Sequence, residues 1–153
     1  MVEGLVGTAR RLASTGSKGK PRQSDLRRAI STAYYALFHA LAKDGADLFV
    51  GAISSRSASA WSQVYRALDH GFAKQACLRV PNLDFQTPLV DCAEAFVTLQ
   101  QQRHAADYDP LARFTRAYAN LMVDEAERAI RNLRSADRAD RRVLAVQIRM
   151  KAR

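Results

Sequence analysis

Residues 101–110, QQRHAADYDP, place an arginine, a histidine, an aspartate and a tyrosine within six consecutive positions. At helical spacing Arg103 and Asp107 share one face a turn apart. His104 and Tyr108 form a second such pair, turned by about 100°. Arg103 also lies four residues after Leu99 and seven after Phe96, which continues an apolar stripe. It is therefore expected to face the interior or a partner, where a guanidinium is costly unless paired, and Asp107 is the nearest pairing group. A second constellation precedes it: Arg28, Ser31, Thr32, Tyr35 and His39 fall within about 60° of Tyr35 at 100° per residue. His39 is placed to bond Tyr35 one turn back, or to meet the Arg103 group if the two segments are neighbours. Arginine, aspartate, tyrosine and histidine from two helices suit phosphate recognition and acid–base chemistry. The same residues also admit a structural account. Arg103 with Asp107 would then be a buried ion pair, Tyr108 a core aromatic with its hydroxyl at the surface, and His39 a satisfied histidine.

Other chemistries find little footing. His39, His70 and His104 have neither HExxH nor CxxC spacing, so no metal site is expected. Cys77 and Cys92 are too few and too far apart for a disulfide framework, and they read as buried reduced thiols. No Walker loop, GxGxxG or GxSxG motif occurs, and no cofactor is implied.

The elements that must position these residues are helical. Apolar positions three and four apart predict five helices, at about 3–15, 24–49, 57–78, 88–106 and from 109 onward. Ser24 is the expected N-cap of the second, with Asp25 in its first turn and a weak point at Gly45. The third carries the stripe Trp61, Val64, Tyr65, Leu68, Phe72 and Ala76. Asp109-Pro110 is expected to open the fifth as N-cap and first helical residue, with Leu111, Phe114, Tyr118 and Leu121 on its apolar face. STGSKGKPR at 14–22 reads as a loop. VLAVQI at 143–148 either extends the fifth helix or forms a short separate one. With no strand alternation, the predicted fold is all-α, an antiparallel up-and-down bundle of four to five helices. Residues 1–135 would form the bundle, and 136–153 a basic extension, helical or disordered.

The chain has 153 residues, 48% of them hydrophobic and 25% charged, which fits one soluble domain with a sizeable core. No apolar run is long enough for a membrane span, and the N-terminal stretch lacks the apolar segment of a signal peptide, so a cytoplasmic protein is expected. The net charge of +9 is uneven. Residues 1–22 carry +4 and residues 128–153 carry +7, leaving −2 between them. Basic ends of this kind either grip phosphates or keep the protein soluble.

RRAISTAYYALFHALA at 27–42, QQRHAADYD at 101–109 and AERAI at 126–130, in that order, resemble the HEPN superfamily (higher eukaryote and prokaryote nucleotide-binding domain). The resemblance is greatest to a bacterial subgroup with RxAYYAxFH and RxxADY motifs, and it covers roughly residues 20–135. It implies a bundle of four or five helices that usually dimerises, with the polar motif near the dimer cleft. It also implies RNA or nucleotide binding, and often metal-independent RNase activity as a toxin beside a minimal nucleotidyltransferase antitoxin.

Carried over by residue, Arg103 would hold a phosphate, Asp107 would orient it and Tyr108 would donate a hydrogen bond. Tyr35 and His39 would line the same pocket, with Arg28 and His104 at its edge and the arginine-rich tail adding backbone contact. Catalytic members carry an arginine, four to six residues and then a histidine. Here Tyr108 stands at the fifth position after Arg103 and no histidine follows. A phenol is a poor base near neutral pH, so His39 is the candidate substitute. The different expectation is a noncatalytic helical module that dimerises and binds a nucleotidyltransferase-type or regulatory partner.

Overall fold

The structure is a computed structural model that describes residues 1–14 and 19–152. Part of the loop predicted at 14–22 therefore lies outside the described residues, as does Arg153. Seven α-helices are described: α1 (Val2–Ser14), α2 (Gln23–Val50), α3 (Ala58–Arg66), α4 (His70–Arg79), α5 (Thr87–Tyr108), α6 (Arg116–Ser135) and α7 (Arg138–Gln147). Among the described residues there is no strand, so the fold is all-α. No described helix is long and apolar enough to cross a membrane.

α2 is the central element. It buries Leu26, Ile30, Ala33, Tyr34, Leu37 and Leu41 against α1, α5 and α6. Contacts fix the directions. Arg27 near the start of α2 reaches the Ala106 carbonyl at the end of α5, while Tyr34 meets Phe96 further back along that helix. α2 and α5 are thus antiparallel. So are α1 and α6, since Arg10 pairs with Asp124 at 2.6 Å and Glu3 with Arg134 at 2.6 Å. Leu89, Cys92, Phe96 and Leu99 supply the α5 face as their spacing predicts.

Three boundaries differ from the sequence expectation. The predicted 57–78 helix is two helices, because the Asp69 carboxylate accepts from the Phe72 N–H at 2.8 Å and starts α4 there. An N-cap carboxylate satisfies donors that a continuous helix would use internally, so the chain turns and α4 begins afresh. At α2 the helix begins at Gln23 rather than being capped by Ser24. The Gln23 amide instead clamps the far loop, donating to the Phe114 carbonyl at 2.8 Å and accepting from its N–H at 2.9 Å.

Asp109-Pro110 does not open a helix either. The Asp109 carboxylate closes a local turn on the Leu111 N–H at 2.9 Å, and Thr115 caps α6 by accepting from the Tyr118 N–H at 3.0 Å. Leu111 is consequently 86% exposed rather than buried, and Leu121 is also exposed. In the C-terminal segment α7 is a separate helix, one of the two forms expected there, and the segment places Leu144, Ala145 and Ile148 in the interior. The split at Asp69 and the separate α7 raise the helix number above the expected four to five.

Gly45, expected to weaken α2, lies inside an unbroken helix. A Cβ there would overlap the Arg149 guanidinium, which lies directly over the backbone. The glycine is what permits that approach.

Candidate functional site

The site is built on facing stretches of α2 and α5, with the first residue of α4 closing one side. Arg103 is 9% exposed, the one charged or polar residue buried among those described. Its guanidinium lies over two tyrosine rings, with Cζ 5.2 Å from the Tyr34 centroid and 5.8 Å from that of Tyr35. Cation–π attraction partly offsets the cost of dehydrating the cation. Asp107 is one turn on, as the spacing predicts, with Oδ2 3.5 Å from Arg103 Nη1. Its carboxylate also accepts from the Ser31 hydroxyl at 3.3 Å, which ties α5 to α2. Both contacts are long, so Asp107 compensates Arg103 weakly. Arg103 Nε is buried with no hydrogen-bond partner among the described residues.

Tyr34, adjacent in sequence, is fully buried, and its hydroxyl lies 2.5 Å from His70 Nδ1. Burial pushes the Tyr34 pKa well up, so the phenol keeps its proton. That proton has His70 Nδ1 as its one described acceptor, and a buried O–H left without one costs about 1–3 kcal/mol. Tyr34 therefore donates to Nδ1, and neutral His70 carries its own proton on Nε2. Nε2 makes no hydrogen bond among the described residues and is not completely buried. The His70 ring stacks on Phe38 at 4.1 Å. Its pKa is lowered first by burial and then by the charge of Arg103, with Asp69 opposing.

Half-buried Tyr35 is the common neighbour of these groups. Its ring centroid is 6.0 Å from that of His70 and 6.2 Å from that of His39. His39 is held by Tyr65 of α3, whose hydroxyl is 2.6 Å from Nδ1, and burial lowers its pKa. The pairing expected from sequence, with Tyr35 or the Arg103 group, is thus replaced by one to a helix that only the break at Asp69 sets in place.

Of the residues singled out by sequence, Arg103, Asp107, Ser31 and Tyr35 come together, and His39 borders the same Tyr35 ring. His104 and Tyr108 do not join them. Their rings pair with each other at 5.0 Å on the exposed side of α5, and Tyr108 is 66% exposed. Arg28 is exposed, whereas its neighbour Arg27 turns inward to the carbonyls of Ala106, Asp109 and Ala112. His70 and Tyr34 are the residues that sequence reasoning missed as site groups.

The basic ends are partly spent on structure. Arg10 pairs with Asp124 and Glu127, Arg134 with Glu3, and Arg141 with Asp44. Arg149 is drawn inward to four backbone carbonyls. These side chains do not form an open phosphate-gripping surface, which leaves exposed Arg138, Arg142 and Lys151 for such a role. The two thiols are buried, and Cys77 is pushed up to about 12 by desolvation, so neither is a nucleophile near neutral pH. Among the described residues no group of three or more histidine, cysteine or acidic side chains is arranged to hold a metal.

The fold and site together define an all-α bundle with a buried arginine set among tyrosines and histidines. Comparison with family models, curated proteins and solved structures gives no match.

Proposed function

We propose that the protein binds RNA or a nucleotide through Arg103, as the HEPN resemblance implies, with Tyr35 as the neighbouring aromatic surface. The observation that carries this reading is the under-satisfied guanidinium. It is nine-tenths buried, has a carboxylate no closer than 3.5 Å and keeps an unpaired Nε. A phosphate oxygen is the acceptor such a group lacks. Metal-independent RNA cleavage, in a cytoplasmic toxin paired with a nucleotidyltransferase-type antitoxin, is the enzymatic form of the same proposal. His39, which borders the Tyr35 ring, is its sequence-derived acid–base candidate. Incubating the protein with RNA in the presence of a chelator, beside Arg103→Ala and His39→Ala, tests it. Cleavage lost in Arg103→Ala supports the enzyme, and equal background cleavage by all three removes it.

A second reading is a noncatalytic module that dimerises or docks on a regulatory partner. It draws on the exposed Tyr108 and Leu111, which flank the turn at Asp109, and on the tyrosine in the place of the family's histidine. Sedimentation of the wild-type protein and of Leu111→Asp, with Tyr108→Ala beside it, tests this form. A dimer that both substitutions weaken supports it, and a monomer at every concentration counts against it.

A further inference from the structure

His70 lies outside the family motifs, 36 residues along the chain from the Tyr34 that it meets. Its geometry is nevertheless that of a held donor. The buried Tyr34 hydroxyl engages Nδ1, Phe38 stacks on the ring, and the opposite nitrogen is left without a partner among the described residues and is not completely buried. His70 is the first residue of α4, so the start of that helix fixes where the ring emerges. Arg103 lies over the Tyr34 ring that holds His70, and both Arg103 and His70 border the half-buried Tyr35. A cationic fork and a neutral N–H donor thus both border the Tyr35 ring.

We propose that His70, held as the Nε2–H tautomer by Tyr34, is the second phosphate-binding group of the Arg103 site, and that Tyr34 is its positioning residue. The ligand class is a phosphodiester or phosphomonoester of a nucleotide whose base meets Tyr35. The inference rests on the RNA- or nucleotide-binding reading of Arg103, but part of it is testable without any ligand. A neutral imidazole suits the place, because a second cation beside Arg103 would be repelled while an N–H donor still reaches a phosphate oxygen.

Substitution by glutamine and by asparagine distinguishes donation from packing. His70→Gln can place an amide N–H near the Nε2 position. His70→Asn keeps an acceptor for Tyr34 but has nothing at Nε2. Binding of a short fluorescein-labelled oligouridylate is measured by polarisation for the wild type, both His70 variants, Tyr34→Phe and Arg103→Ala, with folding checked by circular dichroism. The expected result is a loss of about tenfold for His70→Asn and for Arg103→Ala, the scale of a charge-assisted hydrogen bond, with His70→Gln within about threefold of wild type.

Long-range nitrogen–proton correlation spectra of the ligand-free wild type are expected to show His70 as the Nε2–H tautomer. Tyr34→Phe is expected to show a mixture. An Nδ1–H tautomer in the wild type overturns the proposal whatever the binding data. Wild-type affinity in His70→Asn with loss in Arg103→Ala overturns it too, while leaving the Arg103 reading intact. No binding by the wild type, or none lost in Arg103→Ala, removes the Arg103 reading and the donor pair with it.

Discussion

Arg103 and Arg149 are both drawn into the protein, yet their surroundings are opposite. Arg149 donates from Nε to the Val64 carbonyl at 3.3 Å and from Nη1 to Ala145 at 3.2 Å. Its Nη2 donates to Leu41 at 2.9 Å and Ala42 at 3.2 Å. All three nitrogens are occupied, and burial lowers the pKa to about 10, opposed by Asp44, which still leaves the group charged. Arg103 makes one long ion pair and leans on aromatic faces, with its Nε unpaired. A guanidinium with four of its five N–H groups engaged ties α2, α3 and α7 together and has little left to offer a ligand. A buried guanidinium short of acceptors is a weak structural tie, and its unmet capacity is best explained by an acceptor that arrives from outside.

That contrast predicts unequal consequences for the same substitution. Arg149→Ala should cost about 3 kcal/mol or more in urea unfolding, because it strips the donor from carbonyls of α2, α3 and α7 and opens a gap over Gly45. Arg103→Ala should cost only about 1 kcal/mol while weakening RNA binding about tenfold. Equal losses of stability would break the comparison and make Arg103 a structural residue like Arg149.

Gly45→Ala sharpens the same contrast from the other side. A methyl group at that position meets the guanidinium rather than open space, so Arg149 must shift from its carbonyls. The expected cost is about 1–3 kcal/mol, although alanine has the higher helix propensity. A neutral or stabilising outcome in urea unfolding would show that Arg149 has another place to go.

The sequence reports these two regions unequally, for physical reasons. Arg103 is legible because its spacing from Phe96 and Leu99 puts it on an apolar face, and Asp107 is one turn away. Arg149 is not, because its partners are backbone carbonyls, which no residue type marks. The α2 and α5 faces are legible from periodicity. The break before α4 is hidden by Leu68, Phe72 and Ala76, which continue the spacing of Trp61 and Tyr65 across it. Only the carboxylate of Asp69 signals the break, and an aspartate within a helical pattern is a weak signal until its partner N–H is known. Missing that break also conceals His70, whose meeting with Tyr34 depends on where α4 begins. Asp109-Pro110 errs the other way: a good helix start in isolation is overridden by Gln23 and Arg27, which hold the following loop in a different shape.

The smallest expected effect concerns pH and separates the two regions again. His39 and His70 both have pKa values below the ordinary histidine value, chiefly through burial, and Arg103 adds to the lowering at His70. Above about pH 6.5 both are neutral in the folded and unfolded chains, so they impose no penalty. As the pH falls from there through the lowered folded values, the unfolded chain takes up protons that the folded one refuses, and stability declines. Partial exposure of both rings limits the slope to a few tenths of a kcal/mol per pH unit. Asp44, near Arg141 and Arg149, has a raised pKa from burial and works in the opposite direction at lower pH. Subtracting the curve of His70→Gln from that of the wild type cancels Asp44 and His39. The difference should be flat above pH 7 and should fall for the wild type below about 6.5. A flat difference throughout would mean that burial and the charge of Arg103 do not hold His70 neutral, and the aromatic cluster would then be as inert toward protons as the carbonyl cage around Arg149.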